Sequence, residues 1–580
     1  MSNAIRVIMT RCSGLMLTRM GIILTVLFTA LSLIVWPVQA QSDDYIVVYK
    51  SHSQKQNMLK RPTFPVARDF NIIPAVAAHL DANQVKQLRA NPDIEYVEPD
   101  YKIYALGSPD TNAYDTNTIT ALSSSQTIPY GITMVNAPLV WPRTKGAGVR
   151  VALMDTGISM DHPDRGNVVD SNSFATDSTG VLIPVEDFHG HGTHTSGTIA
   201  AADNNIGVVG VAPGADLLIA KVLDNTGSGS DSWLISGIEW AVSKNAKVIS
   251  MSLGSSSYSA ALDTACVNAY NAGVLLVAAA GNDDVNTPFY PAADSFVISV
   301  AAVDSSKNKA SFSNFGPTIA LAAPGVGVYS TVPSATVTSP TADAVWNSTS
   351  HQSNMLTGTA SGTVTGVICD CGLADGSSPA NTCPNSVAGN IALILRGTTT
   401  FAAKVAHAQS KGAIGAIIYN NVSGNFNGTL SGSTPLVVVS VSQADGEALQ
   451  LLAQSGITGS VLTDIVLYAY YDGTSMACPH VAGVAALIFS AAHYNITPAE
   501  VSNILFDSAQ DLGTPGRDDY YGYGLVDAYA ALHLEKINIL QAFADNWLKP
   551  CSSPGFCDGM DTNHTGKVDF KDFATLTQNW

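Results

Sequence analysis

The serine of "GTSMACPH", residues 473–480, admits two kinds of chemistry. Ser475 opens an apolar helical stretch, where serine is a favoured N-cap, and a hydroxyl so placed is also a potential nucleophile. Because a hydroxyl attacks weakly at neutral pH, a nucleophilic serine needs a base within reach and a third group to orient that base. Three other stretches offer such groups. Asp155 ends the apolar run of "VALMDTGI", "DFHGHGTHTSGT" gathers His189, His191 and His194, and Asn282 follows the small apolar residues of "AAAGND". Each has a plainer alternative. D-T-G after a strand suits an aspartic protease, but that chemistry needs two facing carboxylates and the chain has no second D-T-G or D-S-G. Clustered histidines can bind a metal or merely share a surface, and an amide after a strand can be a turn former.

The elements that must position these groups belong to one pattern. Short β-rich runs at 149–154, 217–222, 248–253, 274–280 and 297–302 alternate with helix-like stretches such as 233–243 and 260–271. Near-continuous apolar strands separated by helices indicate a parallel sheet covered on both faces, with sites at the strand ends. The rhythm stops near Ser330. "AGNIALILRG", "HAQSKGAIGAIIYNN" and "TPLVVVSVSQADGEALQLL" form a separate β-rich block at 345–464, inserted beside the segment that carries Ser475. Ahead of the sheet, "YIVVYK", a helix about Asn83–Ala90 and a strand at Ile94–Val97 make a small α+β unit at 41–105, followed by a polar linker at 106–125. The expected fold is a doubly wound, mostly parallel α/β sheet in two parts, 126–335 and 466–533. To it are added the α+β unit, the β-rich insert and a small helical, EF-hand-like tail at 534–580.

With 580 residues the chain can hold several cores, and its formal charge of −18 argues against nucleic acid or an anionic membrane as partner. Arg6, Arg11 and Arg19 precede an apolar run at 21–36 and then "VQA". That is the layout of a secretory signal, 1–40, cut after Ala40, and it implies a secreted protein. An uncut signal anchor is the alternative, but the run is short for a bilayer span. Export permits disulfides. Cys371 and Cys383 flank one short loop and Cys551 and Cys557 another, so each pair is a candidate local bridge, while Cys266, Cys369 and Cys478 read as buried thiols. Sequons at Asn347, Asn421, Asn427 and Asn563 matter only in a host that glycosylates them.

In their order along the chain, "DTG", "GHGTH", "AAAGN" and "GTSMA" resemble the four signatures of the subtilisin family of serine proteases, over about residues 126–532 apart from the insert. The resemblance implies that Ser475 is the nucleophile, His191 the base, Asp155 its orienter, and Asn282 with the Ser475 N–H the oxyanion donors. It makes His194 structural and leaves His189 unassigned. It implies that Ser252, Leu253 and Gly254 pair with substrate, that Ala279, Ala280 and Gly281 form the other pocket wall, and that Phe289 narrows the pocket floor. Calcium is the implied cofactor, held by side chains of Gln126, Asp164 and Asn204 and carbonyls of Ala202, Ile206 and Val208. The leading unit resembles the family's inhibitory propeptide, with its cut between Glu98 and Gln126, and the insert resembles a protease-associated domain. The implied partners are protein or peptide substrates and the chain's own propeptide.

"DTNHTGKVDFKDF" near the end has EF-hand spacing. Asp561, Asn563, Thr565, the Lys567 carbonyl, Asp569 and Asp572 supply oxygens, with Gly566 at the turn and Asp in place of Glu at the twelfth position. The segment is similar to half a dockerin, which makes a cohesin-like protein a further partner, although only one loop is complete. Two rivals stand beside the secreted, self-processing endopeptidase. One is a catalytically silent, calcium-dependent binding protein and the other a membrane-anchored maturation protease.

Overall fold

A computed structural model describes residues 44–109, 126–333, 342–356, 358–397, 399–430, 434–463, 467–492, 495–547, 549–551, 557 and 560–576. The expected signal at 1–40 and most of the expected linker lie outside the described residues. Two units separate, one of residues up to 69 with 75–100, the other of 70–74 with everything from 101 onward.

In the first unit four antiparallel strands run in the order Arg68–Asp69, Ala75–His79, Asp44–Tyr49, Ile94–Pro99, with helices at His52–Leu59 and Ala82–Arg89. A capping box starts the second helix, with Asp81 accepting from the Gln84 N–H and the Gln84 side chain accepting from the Asp81 N–H. Val47, Tyr49, Phe64, Val76, Leu80, Val85, Leu88 and Val97 form its core. Three elements, the two-residue strand Arg68–Asp69 among them, carry no clear signal in the sequence. "HSQKQNML" has almost no apolar stripe, and "AVAAH" is a strand built of helix-favouring alanine, held by its neighbours rather than by propensity.

The second unit is built on seven parallel strands: β1 (Arg150–Asp155), β2 (Asn167–Ser173), β3 (Asp216–Lys221), β4 (Val248–Met251), β5 (Leu275–Ala279), β6 (Val297–Val303) and β7 (Leu321–Pro324). Their spatial order is β7-β6-β5-β4-β1-β3-β2. Alternation along each strand sends side chains to both faces, and both are covered. Val151, Leu153, Leu217, Ile219 and Val277 pack with α1 (His191–Ala200) and with the long α4 (Thr474–Ala491), whose side chains are nearly all buried. On the opposite face α2 (Asp231–Ser243) lies so close that a Cβ on its Gly237 would stand 2.9 Å from the Met154 sulfur. There α3 (Ala260–Asn271) packs beside α2 and against β5. The sheet is doubly wound, as the alternation of apolar strands and helices implies.

Strand Val328–Thr331 leads out to the insert and Tyr468–Asp472 returns from it, antiparallel, with Val328 opposite Tyr471 and Thr331 opposite Tyr468. Between them lies a closed seven-stranded barrel with helices at Phe401–Ser410 and Gln443–Ala453 and the Cys371–Cys383 disulfide. Helix Ala528–Asn546 begins the tail and is pinned by a buried ion pair, Arg143 Nη2 to Glu535 at 2.6 Å. A second disulfide, Cys551–Cys557, follows. Cys266, Cys369 and Cys478 are buried free thiols. Among the described residues the helix long and apolar enough to cross a membrane is α4, 94% buried inside the protein.

Gly483 of α4 faces Val211, and a Cβ there would stand 2.6 Å from the Val211 Cβ. Overpacking of this kind costs about 1–3 kcal/mol. Gly483→Val is therefore expected to lower the thermal midpoint, read by calorimetry in a Ser475→Ala background so that autolysis does not intervene.

Candidate active site

Asp155 closes β1 and His191 opens α1, and both side chains are fully buried. Asp155 Oδ1 accepts from His191 Nδ1 at 2.7 Å and from the Thr156 N–H at 2.7 Å, while Oδ2 accepts from Thr195 Oγ1, one turn along α1, at 2.9 Å. Burial pushes the His191 imidazole down, but the Asp155 charge and hydrogen bond outweigh it and hold the group above its ordinary value. Close approach explains the small residues around it: a Cβ on Gly192 would sit 2.2 Å from the Gly157 carbonyl oxygen. Asp187 secures the same turn. Its carboxylate accepts from Thr156 Oγ1, the His189, Gly190 and Thr193 N–H groups, and Thr193 Oγ1. Burial would raise that carboxyl, yet these bonds hold it below the usual carboxylate range.

Ser475 lies in the first turn of α4, where backbone N–H groups have no helical partner. Its N–H donates to the Leu106 carbonyl at 3.2 Å. Pro479, one turn on, has no N–H to give the Ser475 carbonyl, and Ser252 Oγ donates to that carbonyl instead, at 2.8 Å. Ser475 Oγ in turn donates to the Ser252 carbonyl at 2.8 Å, and His191 Nε2 is left buried without a partner. Asn282 Oδ1 accepts from the Thr474 N–H and hydroxyl, which fixes the amide with its nitrogen toward Gly473. The position a Gly473 Cβ would take lies 2.6 Å from the Leu106 oxygen and 3.2 Å from Asn282 Nδ2.

A strand at Lys102–Ala105 lies between Ser228–Ser230 and Leu253–Gly254 in a three-stranded antiparallel sheet. The Ala105 N–H donates to the Gly227 carbonyl at 2.9 Å, and the Leu106 N–H donates to the Ser252 carbonyl at 3.3 Å. Gly227–Ser230 is a cleft wall that the sequence reading lacks, because glycine and serine carry no strand signal. Gly281, at φ 105°, and Gly254 face the Phe289 ring, which would stand 3.1 and 2.6 Å from a Cβ at each. Phe289 thus lies between the two expected pocket walls, Ser252–Gly254 and Ala279–Gly281.

The other histidines differ in kind. His194 Nε2 reaches the Val328 and Ala469 carbonyls at 3.0 and 3.2 Å, the ring stacks on Tyr471, and burial lowers the imidazole to about 3. His480 is a buried, neutral core residue lowered to about 4, and a Cβ on Gly131 would overlap it. His189 lies edge-on to His191, its Nε2 2.8 Å from where a Gly227 Cβ would be. Cys478, raised to about 11 by burial, bonds the Val277 carbonyl and is no nucleophile.

Of the expected calcium ligands, Gln126, Asp164, Ala202 and Val208 are linked by hydrogen bonds. Gln126 Nε2 donates to the Ala202 and Val208 carbonyls at 2.7 and 3.1 Å, and Asn204 Oδ1 accepts from the Ile206 N–H. Asp164 is fully buried; Oδ2 accepts from the Val208 N–H at 2.7 Å and Oδ1 has no partner. Tyr468, unremarked in the sequence, reaches this loop, since its hydroxyl occupies the space a Gly207 Cβ would need. In the tail, Asp561 accepts from the Thr565 and Gly566 N–H groups, Asn563 Oδ1 also accepts from the Thr565 N–H, and Asp572 accepts from the Asn563 and Asp569 N–H groups. The Lys567 carbonyl accepts from Thr565 Oγ1. Among the described residues no group of three or more His, Cys, Asp or Glu converges as a metal site.

A buried Asp–His pair beside a helix-start serine whose N–H already holds a peptide carbonyl is the arrangement of a serine hydrolase. Comparison with known proteins agrees. Residues 146–369 match the Subtilase family, 362–449 the PA domain and 47–105 Peptidase inhibitor I9. Subtilisin NAT of Bacillus subtilis subsp. natto is 38% identical over 332 residues, 55% of this chain and 81% of its own. Subtilisin DY of Bacillus licheniformis is 49% identical over 220 residues, 37% of this chain and 78% of its own. The psychrophilic subtilisin-like protease Apa1 from the Antarctic Pseudoalteromonas sp. AS-11 is 33% identical, covers 70% of this chain and 98% of its own, and superposes with a TM-score of 0.45. The chain belongs to the subtilase family. It is a serine endopeptidase that carries its own inhibitory segment and an inserted PA domain.

Ser252→Ala leaves the Ser475 carbonyl without its side-chain donor in a dry site, a loss of about 1–3 kcal/mol. Chemical denaturation of that variant in the Ser475→Ala background should show a lower midpoint with an unchanged slope.

Proposed function

We propose that the protein is an exported, calcium-stabilised endopeptidase that processes itself and cuts extended chains with an apolar residue before the scissile bond. The observation that carries this is the peptide strand 102–105 paired on both edges, with the Leu106 carbonyl on the Ser475 N–H. Rotation about the Ser475 Cα–Cβ bond brings Oγ from the Ser252 carbonyl to His191 Nε2, which takes its proton as Oγ attacks. Asp155 keeps the proton of Nδ1 in place and stabilises the imidazolium. The Ser475 N–H and Asn282 Nδ2 bind the oxyanion. Backbone pairing accepts any extended peptide, and Phe289 shortens the pocket that reads the residue before the cut. A silent binding protein has no need of this whole set.

Gln126, Ala202, Val208, Asp164 and Asn204 present an oxygen-only set with a buried, unpartnered carboxylate oxygen, and these residues fit Ca²⁺ once the Gln126 amide turns its oxygen inward. Calcium there would neutralise Asp164 and tie the segment at Gln126 to the 202–208 loop. The Asp561–Asp572 turn supports a second, tail-stabilising cation loop, similar to half a dockerin; with one loop, stabilisation is the stronger reading than a cohesin-like partner. Export is supported by the basic, apolar, "VQA" sequence at the start and by the two disulfides.

Casein hydrolysis tests the catalytic reading. Wild type should cleave and Ser475→Ala should not, Asn282→Ala should lose about 10²–10³ in kcat, the magnitude known from a subtilisin, and a chelator should lower the thermal midpoint. Equal cleavage by Ser475→Ala would sink the assignment. The base must be neutral to work, and His191 is held above its ordinary 6.5, so activity is lost as pH falls through that raised value. The acid limb of kcat/KM should lie above pH 6.5, and Asp155→Asn should lower kcat by about 10⁴.

A further inference from the structure

We propose that Leu106–Gly107 is the bond this chain cuts first, which rests on Ser475 being the nucleophile. The described chain runs unbroken through the cleft on both sides of that bond. Upstream, Lys102–Ala105 is paired with Ser228–Ser230 and Leu253–Gly254. Downstream, Ser108–Pro109 is paired antiparallel with Tyr471 and Asp472 of the strand leading into α4. Between these two grips it is the Leu106 carbonyl that is held by an oxyanion donor, 3.2 Å from the Ser475 nitrogen.

Side chains around the bond are selected too. Ile103, 1% exposed, packs into the wall by Gly229, where a Cβ would stand 2.9 Å from Leu223 and 3.3 Å from Ile103 itself, while Tyr104 points to solvent. Leu106 packs against the main core. Gly107 is closely packed: a Cβ there would stand 3.0 Å from the Met476 sulfur, 3.2 Å from the Asp472 oxygen and 3.4 Å from Ser475 Cβ, so that a side chain requires its neighbours to shift by a few tenths of an ångström and a branched one by more. The site thus takes an apolar residue four places before the cut and a medium apolar residue just before it, and favours glycine just after. A glycine next to the nucleophile also leaves its approach open.

The reaction is an acyl transfer followed by hydrolysis. Ser475 Oγ bonds to the Leu106 carbonyl carbon, the bond to the Gly107 nitrogen breaks, and the Oγ proton passes through His191 Nε2 to that nitrogen. Water then cleaves the ester, giving the Leu106 carboxylate and restoring the serine. The new chain start is Gly107.

A time course on the full chain, followed by intact mass and N-terminal sequencing, tests the bond. The earliest pair of products should end at Leu106 and begin at Gly107. Gly107→Val should slow their release at least tenfold, with Gly107→Ala between it and wild type. Because a variant chain can misfold, the processed enzyme should also be given the peptide YKIYALGSP. It should cut between Leu and Gly, and a peptide with Val for Gly should be cut at least tenfold more slowly. A first cut elsewhere in an enzyme that hydrolyses casein overturns the bond but leaves the protease intact. So does wild-type processing of Gly107→Val at the same bond. Loss of casein, peptide and self-cleavage together overturns the Ser475 reading, and this proposal with it.

Discussion

Pro479 withholds the N–H that would have satisfied the Ser475 carbonyl, and the geometry of the site follows from what replaces it. Ser252 Oγ donates to that carbonyl, and the Ser252 carbonyl receives both Ser475 Oγ and the Leu106 N–H. Both serines are fully buried, so neither exchange competes with water, and an unpaired carbonyl there is costly. The start of α4 and the end of the β4 segment therefore behave as one piece. Nucleophile, oxyanion N–H and the strand that grips the peptide keep a fixed relation. The price is a second low-energy position for Oγ, away from His191. That position is compatible with a segment that fills the cleft before it is cut.

His191 depends on a second buried arrangement of the same type. Asp155 and Asp187 are both in a dry environment, where a bare carboxylate would be expelled or protonated. Asp187 instead accepts five hydrogen bonds from one turn and its neighbours, and Asp155 accepts from the Thr156 N–H and from the His191 Nδ1–H. Thr195 completes it from the following turn of α1. Glycine is needed at 192 because the helix start lies on the backbone of Gly157, and at 190 because the chain turns there with φ 95°.

Asp155, His191, Asn282 and Ser475 were legible because each ends an apolar strand or opens a helix, and their chemistry is carried by side-chain type. The parallel sheet was legible for the same reason, as both of its faces are apolar. Gly227–Ser230 was not, since a wall that works through backbone N–H and C=O groups leaves no side-chain pattern. Ala75–His79 was missed because alanine favours helices and only neighbouring strands hold it extended. Tyr468 carries no signal of its own in the sequence, since nothing local relates it to Asp164, some three hundred residues earlier. His189 remains a residue whose place beside Gly227 is visible only in the fold.

The insert interrupts the chain just ahead of the nucleophile, and the stalk explains why this is tolerated. The Val332 N–H bonds the Leu467 carbonyl at 2.8 Å, so the two ends of the insert meet, and the barrel closes on itself around its own core. Joining ends that are already together costs little chain entropy. The stalk is locked from below by His194. Carbonyls only accept, so the proximity of Val328 and Ala469 assigns the proton to Nε2, and one imidazole N–H is shared between the outgoing and returning strands. Its burial keeps it neutral, so that lock does not titrate near neutral pH. The returning strand then begins at the Asp164 loop with Tyr468 and runs directly into Gly473 and Ser475. Any displacement that the barrel imposes on its stalk must break the Val328–Tyr471 ladder and the His194 bond before it reaches Ser475, which is how a large insert can be carried beside a site that tolerates almost no movement.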